Sequence, residues 1–363
     1  MRVDSGLLTV LRLYDVANAI DLARVEQLAA APSRIQLQRT AAKAISFDVP
    51  PVEFSLGQAR FPLADTVRET ECIARVYEFG AVAIMIRFSI TDLEWADFTK
   101  AAQEVADFAG GDEGGRVWRE LLDRLRRVIA PAMEKPNPAP VEEDYLILTA
   151  HRITPTLDAA TFLEQVDVTP LLGGETRALS QAGRSELLRH VFSYYADDLV
   201  VLSWDRAFVL DTPEGAADIA DVLELATAQL LELRYYDQLL DRELDRMYER
   251  VAQARGAYHI LGGRRYASLA RQLHRTVVEV TQITERVDNA LKVTEDVYLA
   301  RVYAGALELF RLRIWGATVN RKLAIMRDTY TALFDEAATA RAELLELAIV
   351  VLIVFEIVFA FLA

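Results

Sequence analysis

Residues 214–363 contain no proline, and apolar residues recur through them at heptad spacing. A stretch of that length without its strongest helix breaker folds most economically into long helices packed along a seam. Ala226, Leu230, Leu233, Leu240, Leu244, Met247 and Val251 form the first stripe, which Asp237 interrupts. Gly256 to Gly263 predicts a break. Val280, Ile283, Val287 and Ala290 continue one seam, and Val319, Leu323, Met326, Tyr330, Leu333 and Ala337 carry another towards the C-terminal end. The pattern predicts a long antiparallel, coiled-coil-like helical module over 213–343, within one chain or between copies. Asp211-Thr212-Pro213-Glu214 marks its start: a capping residue, proline in the first turn, and an acid at the positive end of the helix dipole.

The last residues are different again. Thirteen of residues 347–363 are Leu, Ile, Val or Phe. On an insertion scale they favour lipid by about 6 kcal/mol, against a cost of about 3 kcal/mol for Glu356. The expectation is a single C-terminal transmembrane helix over 344–363. Arg321, Lys322, Arg327 and Arg341 precede it, so the soluble body is expected on the cytoplasmic side of a bacterial inner membrane. An acid in such a segment needs a partner, and no basic residue lies in the tail. Glu356 is therefore a candidate for helix assembly, or for an oligomeric pore or proton path; the alternative is a shallow segment in which it snorkels towards the far interface.

Residues 1–212 read as a mixed α/β domain, with a possible internal boundary near 136–142 at Pro136, Pro138 and Pro140. Leu7–Tyr14 is β-rich, and Asp15 is placed to cap a helix to about Ala30. Ala44–Val49 is a short strand candidate. Glu71–Glu78 and Ala81–Ile90 form a hairpin about Phe79-Gly80. Thr91 caps a helix over Asp92–Phe108, and Gly110, Gly111, Gly114 and Gly115 form a hinge before a helix from about Val117 to Met133. Tyr145–Thr149 is a strand, Gly173-Gly174 a loop, and Trp204-Asp205-Arg206 the turn between two strands, Leu199–Ser203 and Ala207–Leu210.

The net charge of −14 excludes nucleic acid as a partner through the overall field. Cys72 is the lone cysteine, which excludes an intramolecular disulfide and a cysteine zinc cluster. Arginine outnumbers lysine 35 to 5, as in proteins of GC-rich bacterial genomes. Residues 1–29 carry scattered acids and no secretory h-region.

Chemistry-bearing motifs are few. Asp237, Asp241 and Asp245 lie at i, i+4 and i+8, a stripe that a metal-dependent enzyme could use given further oxygen ligands. Arg234, Arg242 and Arg246 lie close enough to pair with those acids instead. The chain has no Glu-x-x-His pair, no Gly-x-Ser-x-Gly and no P-loop. The four histidines, at 151, 190, 259 and 274, lack metal-ligand spacing, and the acids among Gly110–Gly115 would repel a phosphate. No metal or cofactor is expected. Arg311, Arg313 and Trp315, followed by Asn320, Arg321 and Lys322, form one basic cluster, able to meet an acidic partner or the acidic first helix.

Asp211-Thr212-Pro213, the run Leu-Glu-Leu-Arg-Tyr-Tyr-Asp at 231–237, and Arg341-Ala-Glu-Leu-Leu-Glu before the apolar tail resemble the YagE family. That family is also known as domain of unknown function 155, or required for meiotic nuclear division. The resemblance covers about residues 185–363 and weakly 71–90. It implies a C-terminal membrane helix, an oligomeric non-enzymatic role supporting translation or assembly at a membrane, and no catalytic residue. It marks Glu346, Glu356, Tyr235, Tyr236 and Asp237 as interaction positions. Taken together, the expected function is a membrane-anchored, homo-oligomeric scaffold for a protein partner.

Overall fold

The computed structural model describes residues 1–29, 37–38, 50–63, 66–174, 179–255 and 296–362, with residues 268, 270, 271, 274, 275, 277, 278 and 281 between them. The fold is α+β: an N-terminal sheet with helices, followed by long C-terminal helices. Two compact units divide the chain, Met1–Glu232 with Arg286–Arg313, and Leu233–Glu285 with Ile314–Ala363.

The first unit is built on a nine-stranded sheet. Its strands are β1 (Arg2–Asp15), β3 (Leu37–Gln38), β4 (Val52–Leu63), β5 (Thr66–Val76), β6 (Ala81–Glu94), β8 (Glu142–Thr154), β9 (His190–Phe192), β10 (Leu199–Leu202) and β11 (Arg206–Leu210). They lie in the order β3-β4-β5-β6-β1-β8-β11-β10-β9. Every pairing is antiparallel except β8 with β11. Two short strands, β2 (Ala17–Ile20) and β7 (Met133–Pro136), pair separately.

β1 is central and buried without interruption from Leu8 to Asp15, as expected of a strand covered on both faces. On one face Leu8, Val10, Ile84, Ile86, Leu146 and Leu148 share a core with α2 (Trp95–Gly110) and α3 (Asp112–Ile129). There Arg12 pairs with Asp144 and lies 4.9 Å over the Trp118 ring. The opposite face presents Leu7, Thr9, Leu11, Met85, Arg87, Ile147, Thr149 and His151 beneath the first turns of α7 (Pro213–Arg255).

The β5–β6 hairpin turns at Gly80, whose φ is +104°. A Cβ there would fall 1.8 Å from the carbonyl oxygen of Ala17, so only glycine fits. The expected strands at 71–90, 145–149 and 199–210 are present, with shifted bounds. Three local expectations are corrected. The helix after β1 is capped by Asp21, which accepts from Arg24 N at 3.0 Å; Asp15 is still in the strand. β6 runs through Thr91, so α2 starts at Trp95 without a side-chain cap. Gly114 and Gly115 lie inside α3, because the apolar stripe of Trp118, Leu121, Leu122 and Leu125 has a core to pack on. The strand expected at Ala44–Val49, the Gly256–Gly263 break and the seam at Val280–Ala290 lie outside the described residues.

Within the second unit, the later part of α7 packs on α9 (Leu312–Leu362), which follows α8 (Val297–Leu309). Tyr236, Leu240, Leu244 and Met247 meet Val319, Met326 and Leu333. Arg234 lies 5.8 Å over the Trp315 ring, and Lys322 Nζ reaches Asp237 and Asp241, each at 2.6 Å. These contacts advance together along both helices, so these two run parallel; the region expected to pack antiparallel to α7, after the 256–263 break, lies mostly outside the described residues. A heptad stripe fixes which face is buried, not the direction of its partner.

Among the described residues, no helix is long and apolar enough to cross a membrane. The apolar end of α9 carries Glu346 and Glu356. This overturns the expected transmembrane anchor, and with it the inner-membrane location.

Candidate functional site

The chain passes from β11 into α7 through Asp211 and Thr212. Gly215 N donates to Thr212 Oγ1 at 3.2 Å, and Asp211 Oδ1 accepts from Thr212 N at 2.6 Å, so the helix start is capped as its sequence predicts. A Cβ on Gly215 would lie 2.4 Å from Asp211 Oδ2; the missing side chain is what lets this carboxylate fold back over the first turn. Two cavities meet here, sharing His151 and Asp218 in their walls.

The larger, about 560 Å³, lies between the sheet and α7. One side is a buried ionic cluster. Arg75 donates to Glu53 at 2.9 Å, Asp221 at 2.5 Å and Glu224 at 2.7 Å, and Tyr77 donates to Glu224 at 2.5 Å. Burial pushes the Glu224 carboxyl upward while the Arg75 charge opposes it. Three carboxylates gathered on one guanidinium tie β4, β5 and α7 together. The cluster is a clamp with its charges mutually engaged, and Arg87, Thr9, Thr149 and His151 complete the wall.

The smaller cavity, about 430 Å³, is acidic. Asp197, Asp198, Asp211, Asp218 and Asp296 line it with His151, Tyr195 and Tyr298. Several of these acids also hold their own loops. Asp198 accepts from Tyr194 N at 2.7 Å and Tyr195 N at 3.0 Å; Asp296 caps α8 through Tyr298 N at 2.8 Å and Leu299 N at 3.0 Å. Burial raises the Asp211 carboxyl, and the charges of Asp198 and Asp197 add to the effect. Among the described residues no group of His, Cys, Asp or Glu is arranged to hold a metal ion.

The residues singled out from sequence fall elsewhere, in or beside the second unit. Asp237 and Asp241 share Lys322, which uses the cluster's one lysine to fill the gap in the apolar seam. Asp245 is exposed. Tyr236 is buried in the helix core, with the Tyr235 ring 5.5 Å away. Trp315 is half-buried under Arg234. Arg313 is exposed, and Arg311 is exposed in the left-handed conformation (φ 56°) of the turn between α8 and α9. Glu346 and Glu356 are exposed on α9. The acidic cavity was not anticipated. Its one local signal is Tyr194-Tyr195-Ala196-Asp197-Asp198, two aromatics beside two acids; Asp218, Asp296 and Tyr298 join only through the fold.

Residues 5–217, from β1 to the first turn of α7, match a family model described as "Uncharacterized protein MJ0711, N-terminal domain". The chain belongs to this family. Its relative "Uncharacterized protein MJ0711", from the archaeon Methanocaldococcus jannaschii, is 27% identical over 193 residues, 53% of this chain and 58% of the relative. The match thus spans less than two thirds of the relative's length. No solved structure matches. The family assignment corrects the resemblance to the YagE family, which rested on runs of Leu, Glu and Arg and an apolar end in the C-terminal half. Amphipathic helices of unrelated origin supply such runs, whereas the match lies in the sheet and carries Arg75, His151, Asp198 and Asp211.

Proposed function

We propose that the chain is a non-enzymatic, self-associating scaffold, held together by the C-terminal part of α9. One observation carries this reading. From Leu344 to Phe359, thirteen large apolar side chains point in every direction around the helix, each 46–67% exposed. Scattered exposed leucines are ordinary, but a continuous apolar cylinder is a surface awaiting a partner.

The partner proposed is a second copy. Upstream, α9 already packs by a heptad seam, and the apolar stretch prolongs that helix without a break. In a bundle of identical helices every copy buries its inward face against the same apolar side chains of its neighbours. Glu356 suits a bundle too. No lysine or arginine lies among residues 344–363 to meet it, but in a parallel bundle each Glu356 faces another at the same level and can share a proton with it.

Light scattering on the full chain and on a version ending at Glu343 tests the reading. The full chain should be multimeric and the shortened one should not. A monomeric full chain overturns the proposal, as does equal assembly of both, or a full chain that is monomeric alone and floats with lipid vesicles.

A further inference from the structure

The acidic cavity at the start of α7 carries an inference independent of self-association. Tyr298 is 9% exposed, lines the cavity, and its hydroxyl is buried without a hydrogen-bond partner among the described residues. A buried phenol left in that state is unfavourable unless something in the cavity bonds to it. Burial raises the pKa of this phenol, and the charges of Asp198 and Asp211, which line the same cavity, add to the effect. It stays a neutral O–H, able to accept as well as donate.

The rest of the wall defines what fits. Among the described residues none that lines the cavity is lysine or arginine, while five are aspartates. Arg301, exposed on α8, is the basic side chain whose charge reaches Tyr298. That field rejects anions. A bare divalent ion lacks a ligand set among the described residues. Aromatic surface stands at the edge: the rings of Tyr194 and Tyr298 are 5.8 Å apart and those of Tyr194 and Tyr195 4.9 Å, with Tyr194 and Tyr195 largely exposed. Leu210 and Leu299 add apolar wall. Carboxylates, a phenol oxygen seeking a donor, aromatic faces and apolar wall together suit an organic cation with N–H groups and a methylene stem.

We propose that this cavity binds an alkylammonium group, its N–H donors directed to Tyr298 Oη and to the carboxylates of Asp198 and Asp211. The group could belong to a free polyamine or to a lysine side chain of another protein, and the chemistry of recognition is the same.

Calorimetric titration of the full chain tests it at about 0.1 M salt, where exposed charges are screened beyond ~10 Å. Spermidine represents the free amine, and α-N-acetyl-lysinamide the protein side chain. Saturable binding of either supports the proposal, and the tighter of the two identifies the source. Tyr298→Phe should weaken binding about tenfold, the scale of one hydrogen bond to a charged group. Asp198→Asn, which keeps an oxygen for the Tyr194 and Tyr195 amides, should weaken it at least as much. Absence of binding by both probes overturns the proposal. So does unchanged affinity in Tyr298→Phe, or equal displacement of spermidine by magnesium, which would mark a non-selective acidic surface.

Discussion

Individual side chains in this protein are governed by burial. Cys72 is buried, and its thiol is pushed up to about 11, so it stays protonated at neutral pH. Asp15 is the sharper case. Burial pushes its carboxyl from 3.8 up to about 7, while the amide of Asn137 and the charge of Arg126 pull the other way. Since the folded value lies above the unfolded one, its contribution is fully present below about pH 4 and is lost as pH rises through 7. The loss is on the order of 4 kcal/mol. Asp15→Asn should abolish that dependence. Urea midpoints at pH 5 and 8 check this: the variant's advantage over the parent should be larger at pH 8, and an equal difference at both pH values contradicts it. Neither this role nor the Arg75 clamp could be read from sequence. The acids around Arg75 stand 22, 146 and 149 residues away, and a charged residue in a β-rich run carries no mark of the partner it will meet.

Elements were more legible than residues where local chemistry decides. The hairpin at Gly80 and the start of α7 at Thr212-Pro213 were readable because a left-handed glycine and a capped first turn need nothing from elsewhere in the chain. The Gly110–Gly115 segment misled for the opposite reason: helix propensity argues for a hinge there, and the packing of Trp118 and Leu121 overrides it. Asp237 was visible as a fault in the first stripe; the lysine that fills it was not. Lys322 is 12% exposed between Asp237 and Asp241, so the pair is partly desolvated and fixes the register of α7 against α9. Lys322→Met should destabilise the helix pair by about 1–3 kcal/mol, because it strands Asp237 in the seam. Adding Asp237→Leu should recover most of the loss. Urea unfolding followed by circular dichroism measures both, and a single variant as stable as the parent would deny the pair its role.

At the scale of the molecule, the sheet unit holds a clamp and an acidic cavity, and the helical unit ends in an apolar cylinder. In sequence, β-rich runs give way to heptads after Pro213, whereas the first unit extends through Glu232 and takes in Arg286–Arg313. Sequence pattern took the apolar end for a membrane span that no described helix is long and apolar enough to make. What remains is thirteen exposed apolar side chains on one helix and a proposal that copies of the chain cover them. With Cys72 buried, a cysteine placed at Leu352 offers a single accessible labelling site. Helices packed in a bundle lie about 8–10 Å apart axis to axis. Pulsed dipolar spectroscopy on the spin-labelled Leu352→Cys chain should therefore report a narrow distance of roughly 15–25 Å between copies, allowing for label length. A decay without defined distance, from protein at the same concentration, would contradict self-association through this helix.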